Sequence, residues 1–543
     1  MRGIALSGGD AEGTLLVADV GLSFWGGVDP RSGRVIDAHH PLCGQSLAGR
    51  VLAIPGSRGS CSGSAVLLEL LLAGCAPAAI LVREPDQILA LGALVAEEMF
   101  GRTLPVLQLA AADFARLENG RLIRVRAIGR GGADRLALDP FDQSLLAGAH
   151  GRAAQVAMRL VVRMARLQGA ARLVAVTQAH IDGCIYTGPA SLRFAERLSE
   201  WGGRVRVPTT LNAISVDRRR WASLGVPAQQ GEPASALADA YVAMGAAPSF
   251  TCAPYLLESA PPFGAQIGWA ESNAVVFANS VLGARTQKYP DFLDACIALT
   301  GRAPLAGAHL PQGRRATLGV EVALPAGADE SVWPLLGYAC GLASGAEIVL
   351  LCGVVPDRDG LKAFGAAFAT VASAPMFHIE GVTPEAAGQR PGRWLQLDGA
   401  ALRQAWKVLN TAQSDAVGLV AIGSPHVSLA ECAALARLVV GRRCLAGVAM
   451  VVTCGRAVHA AARAAGHVAV LEAFGARVIT DTCWCMLGEP VVPPDAVVLM
   501  TNSGKYAHYA PGLVGRSVRF GGLADCVQAA CTGRVPPMPV WLS

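Results

Sequence analysis

The sequence predicts an α/β protein with two parts, a small β-rich N-terminal domain and a large α/β domain. Residues 1–136 alternate short apolar runs with turns, which is typical of short strands in a compact unit. Residues 137–543 alternate long Ala-, Leu- and Arg-rich helical stretches with short Val-, Ile- and Leu-rich runs, a pattern that predicts helices layered on a largely parallel sheet. Because 543 residues are too many for one core, we expect the large domain to divide into two lobes near the turn-rich region 301–319.

Strands and helices are both predicted in the N-terminal domain. The strands are Thr14–Val20, Val51–Ile54, Ala79–Val82 and Leu122–Val125. A helix is expected over Ser64–Leu72, after a turn rich in Gly and Ser, and another over Asp86–Phe100. The string Gly129–Gly132 predicts a linker to the large domain.

The large domain begins with a helical pattern over Asp142–Gln168. Short apolar strands are expected at Leu173–Val176, Ile348–Leu351, Val417–Ile422, Val448–Val452 and Ala496–Met500. The chain has no short-period repeat, so a solenoid is not predicted.

Composition excludes several classes of protein. Apolar residues make up 52% of the chain and charged residues 16%, which indicates a large buried interior and not a disordered chain. The net charge is only +5 and no basic stripe is present, so nucleic-acid binding is not predicted. The longest charge-free stretches, Tyr241–Leu257 and Ala363–Ile379, fall short of the roughly 20 apolar residues that a membrane-spanning helix needs. No export signal is visible, so we expect a cytoplasmic protein.

Fifteen cysteines in a chain of this kind indicate reduced thiols, most of them buried as small apolar side chains. Cys483 and Cys485 stand out because they follow the strand-like run Ala476–Thr480. A Cys-x-Cys pair without a second pair at ribbon spacing does not fit a zinc ribbon. Thiolates from distant loops could instead hold an iron–sulfur cluster. Cys252, in the string Thr-Cys-Ala-Pro-Tyr, could equally be buried packing.

The turn from Arg58 to Ser64, Arg-Gly-Ser-Cys-Ser-Gly-Ser, lies between a predicted strand and a predicted helix. Its glycines permit a tight turn, and the free N–H groups at the start of the helix favour an anion. Arg58 favours a carboxylate, since a guanidinium group can bind one through two hydrogen bonds. The hydroxyl groups of Ser60, Ser62 and Ser64 could also act only as helix caps.

Polar strings in the large domain carry further candidate site residues. They contain His180, Asp182, Thr209, Thr210, Asn212, Glu271, Ser272, Ser503 and Lys505. Several directly follow predicted strands, which is where ligands bind in open α/β sheets. Such groups cost several kcal/mol when buried without partners, so we expect them to bind one another or a ligand. The string around Lys505 lacks the spacing of a P-loop, which favours a substrate carboxylate over a nucleotide.

Taken in order along the chain, these motifs resemble the aconitase X family. Trp25–Leu42 and Arg58–Ser64 resemble the family's small swivel subunit. The segments that resemble its large subunit are Ala179–Gly183, Pro208–Asn212, Cys252–Tyr255, Glu271–Ser272, Asn279–Ser280, Gly381–Glu385, Asp481–Cys483 and Thr501–Tyr506. The resemblance covers nearly the whole chain. It implies an aconitase-superfamily architecture in which swivel and large parts are fused, so that no separate small subunit is needed.

The resemblance also implies roles for individual residues. By position, Cys252 and Cys483 correspond to ligands of an iron–sulfur cluster. Archaeal relatives have a Gly-Cys-Pro-His string where this chain has Ser424, so Ser424, Cys485 or another cysteine would complete a [2Fe-2S] or a [4Fe-4S] site. Ser60 corresponds best to the serine that acts as base in aconitases, with Ser62 and Ser64 as competing positions.

The implied activity is removal of water from a small hydroxy acid. Bacterial members of the family act on cis-3-hydroxy-L-proline and archaeal members on phosphorylated mevalonate; the Ser424 and Cys485 pattern favours the former. A swivel serine would remove the proton next to the carboxylate, and His180 with Asp182 would protonate the leaving oxygen. The expected substrate-binding residues are Arg58, Ser62, Thr209, Thr210, Asn212, Glu271, Ser272 and Ser503, with Lys505 stabilising the charge that develops. Two alternatives are a metal-independent isomerase or hydro-lyase, and a cluster-bearing regulator that binds RNA.

Overall fold

The computed structural model describes residues 3–37, 40–58, 60–127 and 136–543. The expected linker Gly129–Gly132, and Gly59 of the serine-rich turn, lie outside these ranges. Within them, strands and helices alternate along most of the chain, and the sheets of the large domain are mainly parallel. The predicted α/β class is confirmed.

A six-stranded sheet forms the N-terminal domain. Its strands are β1 (Gly3–Ser7), β2 (Gly9–Val17), β3 (Val51–Ile54), β4 (Ala79–Val82), β5 (Val106–Leu109) and β6 (Leu122–Ala127). Its helices are α1 (Gly63–Ala73), α2 (Gln87–Phe100) and α3 (Ala111–Phe114). The strand order is β1-β5-β4-β3-β2-β6, with β2 to β5 parallel and the two edge strands antiparallel. The serine-rich turn therefore joins the carboxyl end of a central parallel strand, β3, to helix α1.

One predicted strand of this domain is misplaced. The run expected at Thr14–Val20 is in fact β2, which begins at Gly9 and ends at Val17. Its polar first half pairs with β6 from Gly9 opposite Ala127 to Thr14 opposite Leu122. Backbone hydrogen bonds, which need no apolar side chains, define this part of the strand.

The first lobe of the large domain consists of helices around small sheets. The helices are α4 (Pro140–Leu146), α5 (Arg152–Leu167), α6 (Pro189–Glu200), α7 (Ala228–Ala243), α8 (Ser272–Phe277) and α9 (Leu293–Thr300). The strands are β7 (Leu173–Ala175), β8 (Ala179–Ile181), β9 (Thr209–Leu211), β10 (Gly268–Trp269) and β11 (Arg302–Pro304). The order β10-β8-β9 is parallel, and β7 pairs with β11 antiparallel.

The single helix predicted over Asp142–Gln168 is wrong. The chain forms α4 and α5, separated by a turn in which Gly148 and Gly151 adopt φ of 84° and 89°. These are left-handed conformations that glycine adopts without steric cost and that a continuous α-helix excludes.

Two parallel sheets complete the large domain. The strands of the first are β12 (Leu318–Val322), β13 (Val349–Cys352), β14 (Phe377–Ile379) and β15 (Arg393–Leu397), and those of the second are β16 (Leu419–Ile422), β17 (Ala449–Thr453), β18 (Ala476–Ile479), β19 (Val498–Thr501) and β20 (Ser517–Phe520). The helices are α10 (Val332–Ser344), α11 (Arg358–Val371), α12 (Gly399–Leu409), α13 (Leu429–Val439), α14 (Arg456–Ala464), α15 (His467–Phe474), α16 (Gly504–Val514) and α17 (Leu523–Thr532). The strand orders are β14-β13-β12-β15 and β18-β17-β16-β19-β20.

The N-terminal domain packs directly on the first lobe. Apolar residues of α1 and α2 share one buried cluster with residues of α5. Arg163 pairs with Glu97 at 2.7 Å across this interface, and Glu69 of α1 accepts a hydrogen bond from the Ala190 backbone at 2.7 Å. These contacts place the serine-rich turn against the large domain. Among the helices of the described ranges, none is long and apolar enough to cross a membrane.

Candidate active site

The polar strings of the large domain meet at the carboxyl ends of parallel strands. Asp182 follows β8 and Asn212 follows β9 in the first lobe. Ser424, Cys483 and Ser503 follow β16, β18 and β19 in the last sheet. The first lobe is joined to the last sheet here by a 2.7 Å hydrogen bond between the backbone of residues 214 and 481. The side chains expected to carry chemistry therefore lie at one junction between the lobes.

The backbone is strained at this junction. Among the described residues, the non-glycine positions with positive φ are Phe250 at 42°, Phe292 at 81° and Asp481 at 69°. Phe250 is two residues before Cys252, and Asp481 is two residues before Cys483. The guanidinium group of Arg456 binds both carboxylate oxygens of Asp481, at 2.6 and 2.7 Å, and holds that turn in place. Strain of this kind is kept where surrounding structure fixes a functional geometry.

Three thiols come together where the first lobe meets the last sheet. Hydrogen bonding with Cys252 and Cys485 raises the pKa of the Cys483 thiol well above its ordinary value. The same contact with Cys483, helped by the charge of Lys505, lowers the pKa of Cys485 to about 7. The Ser424 hydroxyl lies 3.8 Å from the Cys485 sulfur, and the His426 backbone N–H donates to the Cys252 sulfur at 3.3 Å. All three thiols are buried.

A buried ion pair adjoins the thiols. Lys505 Nζ lies 2.6 Å from a carboxylate oxygen of Glu271, and the other oxygen of Glu271 caps helix α8 through the backbone N–H groups of residues 273 and 274. Burial alone would lower the pKa of Lys505, but Glu271 and the thiols Cys485, Cys483 and Cys252 together raise it well above its ordinary value. The ammonium group is therefore a permanent positive charge beside three thiols.

Buried acids line the other side of the site. Burial, with Glu271 and Asp294 nearby, raises the pKa of Asp182 to about 8. Asp294 accepts hydrogen bonds from the backbone N–H groups of residues 182, 183 and 295. Asp291 is completely buried, and burial together with Asp182 raises its pKa well above the ordinary value. Sequence reasoning missed Asp291 and Asp294, although the pair in Asp-Phe-Leu-Asp opens a strongly apolar helix and could have been noticed.

His180 and Asp182 are not partners of each other. Nδ1 of His180 lies 2.8 Å from the Thr210 hydroxyl, whereas a carboxylate oxygen of Asp182 accepts a hydrogen bond from the Asn212 amide. Burial lowers the pKa of His180 to about 3, so its imidazole is neutral at physiological pH. His180 and Thr210 form one polar pair and Asp182 and Asn212 another, on adjacent strands.

The serine-rich turn meets the large domain at Asp291. The backbone N–H of Asp291 donates to the Cys61 carbonyl at 3.2 Å, and the Ser64 hydroxyl donates to the Asp291 carbonyl at 3.0 Å. Ser64 is fully buried and its hydroxyl bonds backbone, which fits a fastening role better than the predicted catalytic one. Ser60 is only half-buried, and its hydroxyl oxygen accepts the Ser62 backbone N–H at 3.3 Å.

Several predicted substrate-binding residues are bonded to other groups of the protein. Arg58 pairs with Asp37 at 2.9 Å. The Thr209 hydroxyl donates to the Val207 carbonyl at 2.8 Å. The Ser503 hydroxyl donates to the Ser424 carbonyl and also caps helix α16. Ser272 is buried at the first position of α8. Arg58, Thr209 and Ser503 therefore bind other groups of the protein in this structure, and the predicted substrate contacts of the four residues stay predictions.

Comparisons with known proteins decide the family. Profiles described as aconitase X swivel, first, second and third domains match residues 1–132, 135–312, 316–407 and 417–532. The chain belongs to the aconitase X family. It is 60% identical to the Cis-3-hydroxy-L-proline dehydratase of Pseudomonas aeruginosa, over 99% of this chain and 98% of that one. The Phosphomevalonate dehydratase large subunit of Methanothermobacter thermautotrophicus is 33% identical, over 71% of this chain and 96% of its own.

A solved structure of the family agrees with the fold. The crystal structure of Thermococcus kodakaraensis aconitase X in its holo form covers 73% of this chain and all of its own, with a TM-score of 0.67 and 30% identity. This aconitase X protein is thus a dehydratase, a carbon–oxygen lyase, with the predicted aconitase X architecture. Its swivel domain is part of the same chain.

The family implies an iron–sulfur cluster at these three thiols. In the described ranges, no three or more His, Cys, Asp or Glu side chains lie in an arrangement that could hold a metal ion. The donor chemistry nevertheless fits a cluster, because thiolates are its usual ligands. The hydroxyl groups of Thr482 and Tyr506 are buried and make no hydrogen bond within the described part of the chain. Cluster sulfide beside the thiols would give these two donors an acceptor.

Proposed function

We propose that this dehydratase removes water from cis-3-hydroxy-L-proline to give pyrroline-2-carboxylate. The observation that carries the proposal is the close identity, over nearly the full length of both chains, to a relative that bears this activity in its name. In the reaction a base takes the proton from the ring carbon that bears the carboxylate. The C–O bond at the neighbouring carbon then breaks, the hydroxyl leaves as water, and the new double bond shifts to the ring nitrogen.

Cys252 and Cys483 would hold an iron–sulfur cluster, with Cys485 and Ser424 at the third position. The cluster, when bound, supplies a Lewis acid for the departing hydroxyl. Lys505 favours the thiolate form of Cys485, since its positive charge helps to lower the pKa of that thiol. Burial excludes water from this side of the site.

We assign the proton transfers to residues on the side of the site that faces the thiols. Ser60, on the swivel turn, is the proposed base in its alkoxide form, which the Ser62 backbone N–H stabilises; when it takes the substrate proton, Ser60 becomes a neutral hydroxyl. Asp182 is the proposed acid, because its carboxyl keeps its proton near neutral pH and can donate it to the leaving oxygen. His180 orients Thr210 and carries no charge.

The substrate assignment is tested by incubating anaerobically purified, cluster-loaded protein with cis-3-hydroxy-L-proline and following pyrroline-2-carboxylate by NMR. We expect turnover of this compound and none of mevalonate 5-phosphate. Trans-4-hydroxy-L-proline is the matched control, because its hydroxyl is not on the carbon next to the acidic one. Turnover of mevalonate 5-phosphate alone would contradict the proposal.

Ser60→Ala is expected to lower kcat by about 10²- to 10⁴-fold, the usual range for loss of a proton-transfer group. The visible absorption and iron content should stay at the wild-type level, because the serine lies on the swivel turn and not among the thiols. Ser62→Ala is the matched control and should lose less activity. If Ser62→Ala loses more activity than Ser60→Ala, or if Ser60→Ala loses its iron, the base is misassigned.

Activity is expected to fall at high pH. The proposed acid form of Asp182 is present below a pKa of about 8 and is lost above it, so kcat/KM should decrease about tenfold per pH unit on the alkaline side. Asp182→Asn should both slow the reaction and remove this alkaline decrease. Measuring kcat/KM from pH 6 to 10 for both proteins checks this, and an unchanged alkaline limb in the variant would exclude Asp182 as the acid.

A further inference from the structure

Asp291 is a buried acid that lacks ordinary hydrogen-bond partners. Its side chain is 0% exposed, and neither carboxylate oxygen makes a hydrogen bond of normal geometry within the described ranges. A buried carboxyl group without donors is costly, by several kcal/mol in the ionised form. Such a group in a native protein indicates either a missing ligand or a functional strain.

The other buried acids of the site are already occupied. Asp294 accepts three backbone N–H groups. Glu271 pairs with Lys505 and caps a helix. Asp182 accepts a hydrogen bond from Asn212. Of these acids, Asp291 is the one whose carboxylate oxygens make no hydrogen bond of normal geometry to another group in the described ranges.

Asp291 is held at the meeting point of the two domains. Its backbone bonds both Cys61 and Ser64 of the swivel turn, and the next residue, Phe292, is kept at a φ of 81°. The side chain has the Ser62 hydroxyl and the Asp182 carboxyl as polar neighbours. The Asp291 carboxyl group therefore lies next to the Ser62 hydroxyl of the swivel turn and next to the proposed acid, Asp182.

We propose that Asp291 binds the ring ammonium group of the substrate and so selects cyclic amino acids over hydroxy acids that lack a positive charge. This inference rests on the proposed function, since cis-3-hydroxy-L-proline carries a secondary ammonium next to the carbon that loses its proton. The two N–H groups of that ammonium match the two oxygens of Asp291. Bonds between ionised partners are about twice as strong as neutral ones.

The neighbouring acids suit a cationic group. Burial and mutual proximity raise the pKa values of Asp182 and Asp291, so a negative charge on Asp291 is unfavourable without a positive partner. A bound ammonium group supplies that partner and allows Asp291 to ionise while Asp182 keeps its proton.

The test uses two inhibitors of the full-length, cluster-loaded enzyme, L-proline and (S)-tetrahydrofuran-2-carboxylate, which differ in having a ring NH₂⁺ or a ring oxygen. The wild type should prefer L-proline by roughly 10- to 100-fold, the range for one hydrogen bond between charged groups. Asp291→Asn should bring the two inhibition constants within about threefold, mainly by weakening L-proline. It should also raise KM for the hydroxyproline substrate more than it lowers kcat.

Asp291→Glu is the conservative variant and should restore part of the preference for L-proline. Asp294→Asn is the matched control: it should lower the melting temperature, because Asp294 accepts backbone hydrogen bonds, but keep the preference. Equal binding of both inhibitors to the wild type would overturn the inference, even if no Asp291 variant folds. Retained preference in Asp291→Asn would overturn it as well. In either case, turnover of cis-3-hydroxy-L-proline would still support the proposed function. If the wild type prefers L-proline but does not turn over cis-3-hydroxy-L-proline, the proposed function is refuted and the role of Asp291 is not.

Discussion

Cys483→Ser is expected to remove the bound iron and sulfide and to lower dehydratase activity by at least about 100-fold, since even outer-shell changes at metal sites cost up to about that much. Cys483 is the central thiol of the group, because its pKa responds to both Cys252 and Cys485. A serine hydroxyl is a far weaker donor to iron at neutral pH than a thiolate. Iron and sulfide content of anaerobically purified protein, with its visible spectrum, measures the loss.

Cys340→Ser provides the control for this substitution. Cys340 is equally buried, in helix α10, but burial alone raises its pKa, to about 12. The change should lower stability slightly and leave the iron content intact. If Cys483→Ser keeps its iron while Cys340→Ser loses it, the cluster is not at the thiols described above.

Lys505→Met is expected to lower the free energy of unfolding by about 3–5 kcal/mol, the usual effect of leaving one member of a buried ion pair alone. The side chains of Lys505 and Glu271 are 10% and 6% exposed, so water cannot compensate the remaining carboxylate. The variant should also be inactive, because Cys485 loses the positive charge that helps to lower the pKa of its thiol. Chemical denaturation followed by circular dichroism measures the stability.

The double variant Lys505→Met/Glu271→Gln separates these effects. Removing both charges should recover part of the stability, since no uncompensated charge stays buried, but not the activity. Arg314→Met, which breaks the buried pair with Glu385, should be similarly destabilised while its folded fraction retains turnover. An active Lys505→Met enzyme would show that the thiols do not depend on this charge.

The sequence allowed prediction of where the site residues fall along the chain. Cys252, Cys483 and Ser424 are in strings whose local pattern and family resemblance mark them. Ser424 and Cys483 follow β16 and β18, whereas Cys252 lies in the loop after α7 and reaches the junction through its contact with the His426 backbone. Strand ends follow from short apolar runs, which are local information. The roles of these residues stay predictions.

Partner choice could not be predicted in the same way. His180 bonds Thr210, Asp182 bonds Asn212, and Ser64 fastens the swivel turn to Asp291, a residue far away in sequence. A hydrogen-bond partner is set by tertiary packing, and residues of similar chemistry compete for each position. The prediction of a single helix over Asp142–Gln168 was wrong for a local reason. Two glycines between α4 and α5 adopt left-handed conformations, which end one helix before the next begins.

The covalent link between the swivel and the large domain has a further consequence for how the enzyme works in dilute solution. If the swivel were a separate subunit, it would dissociate from the large subunit, and take the serine-rich turn with it, whenever the subunit concentration fell below the dissociation constant of the two subunits. Here the tether keeps the two halves at an effective concentration in the millimolar range, which is independent of how much enzyme is present. Specific activity should therefore be constant down to nanomolar enzyme, and the contacts at Ser64 and Glu69 need only modest strength to close the site.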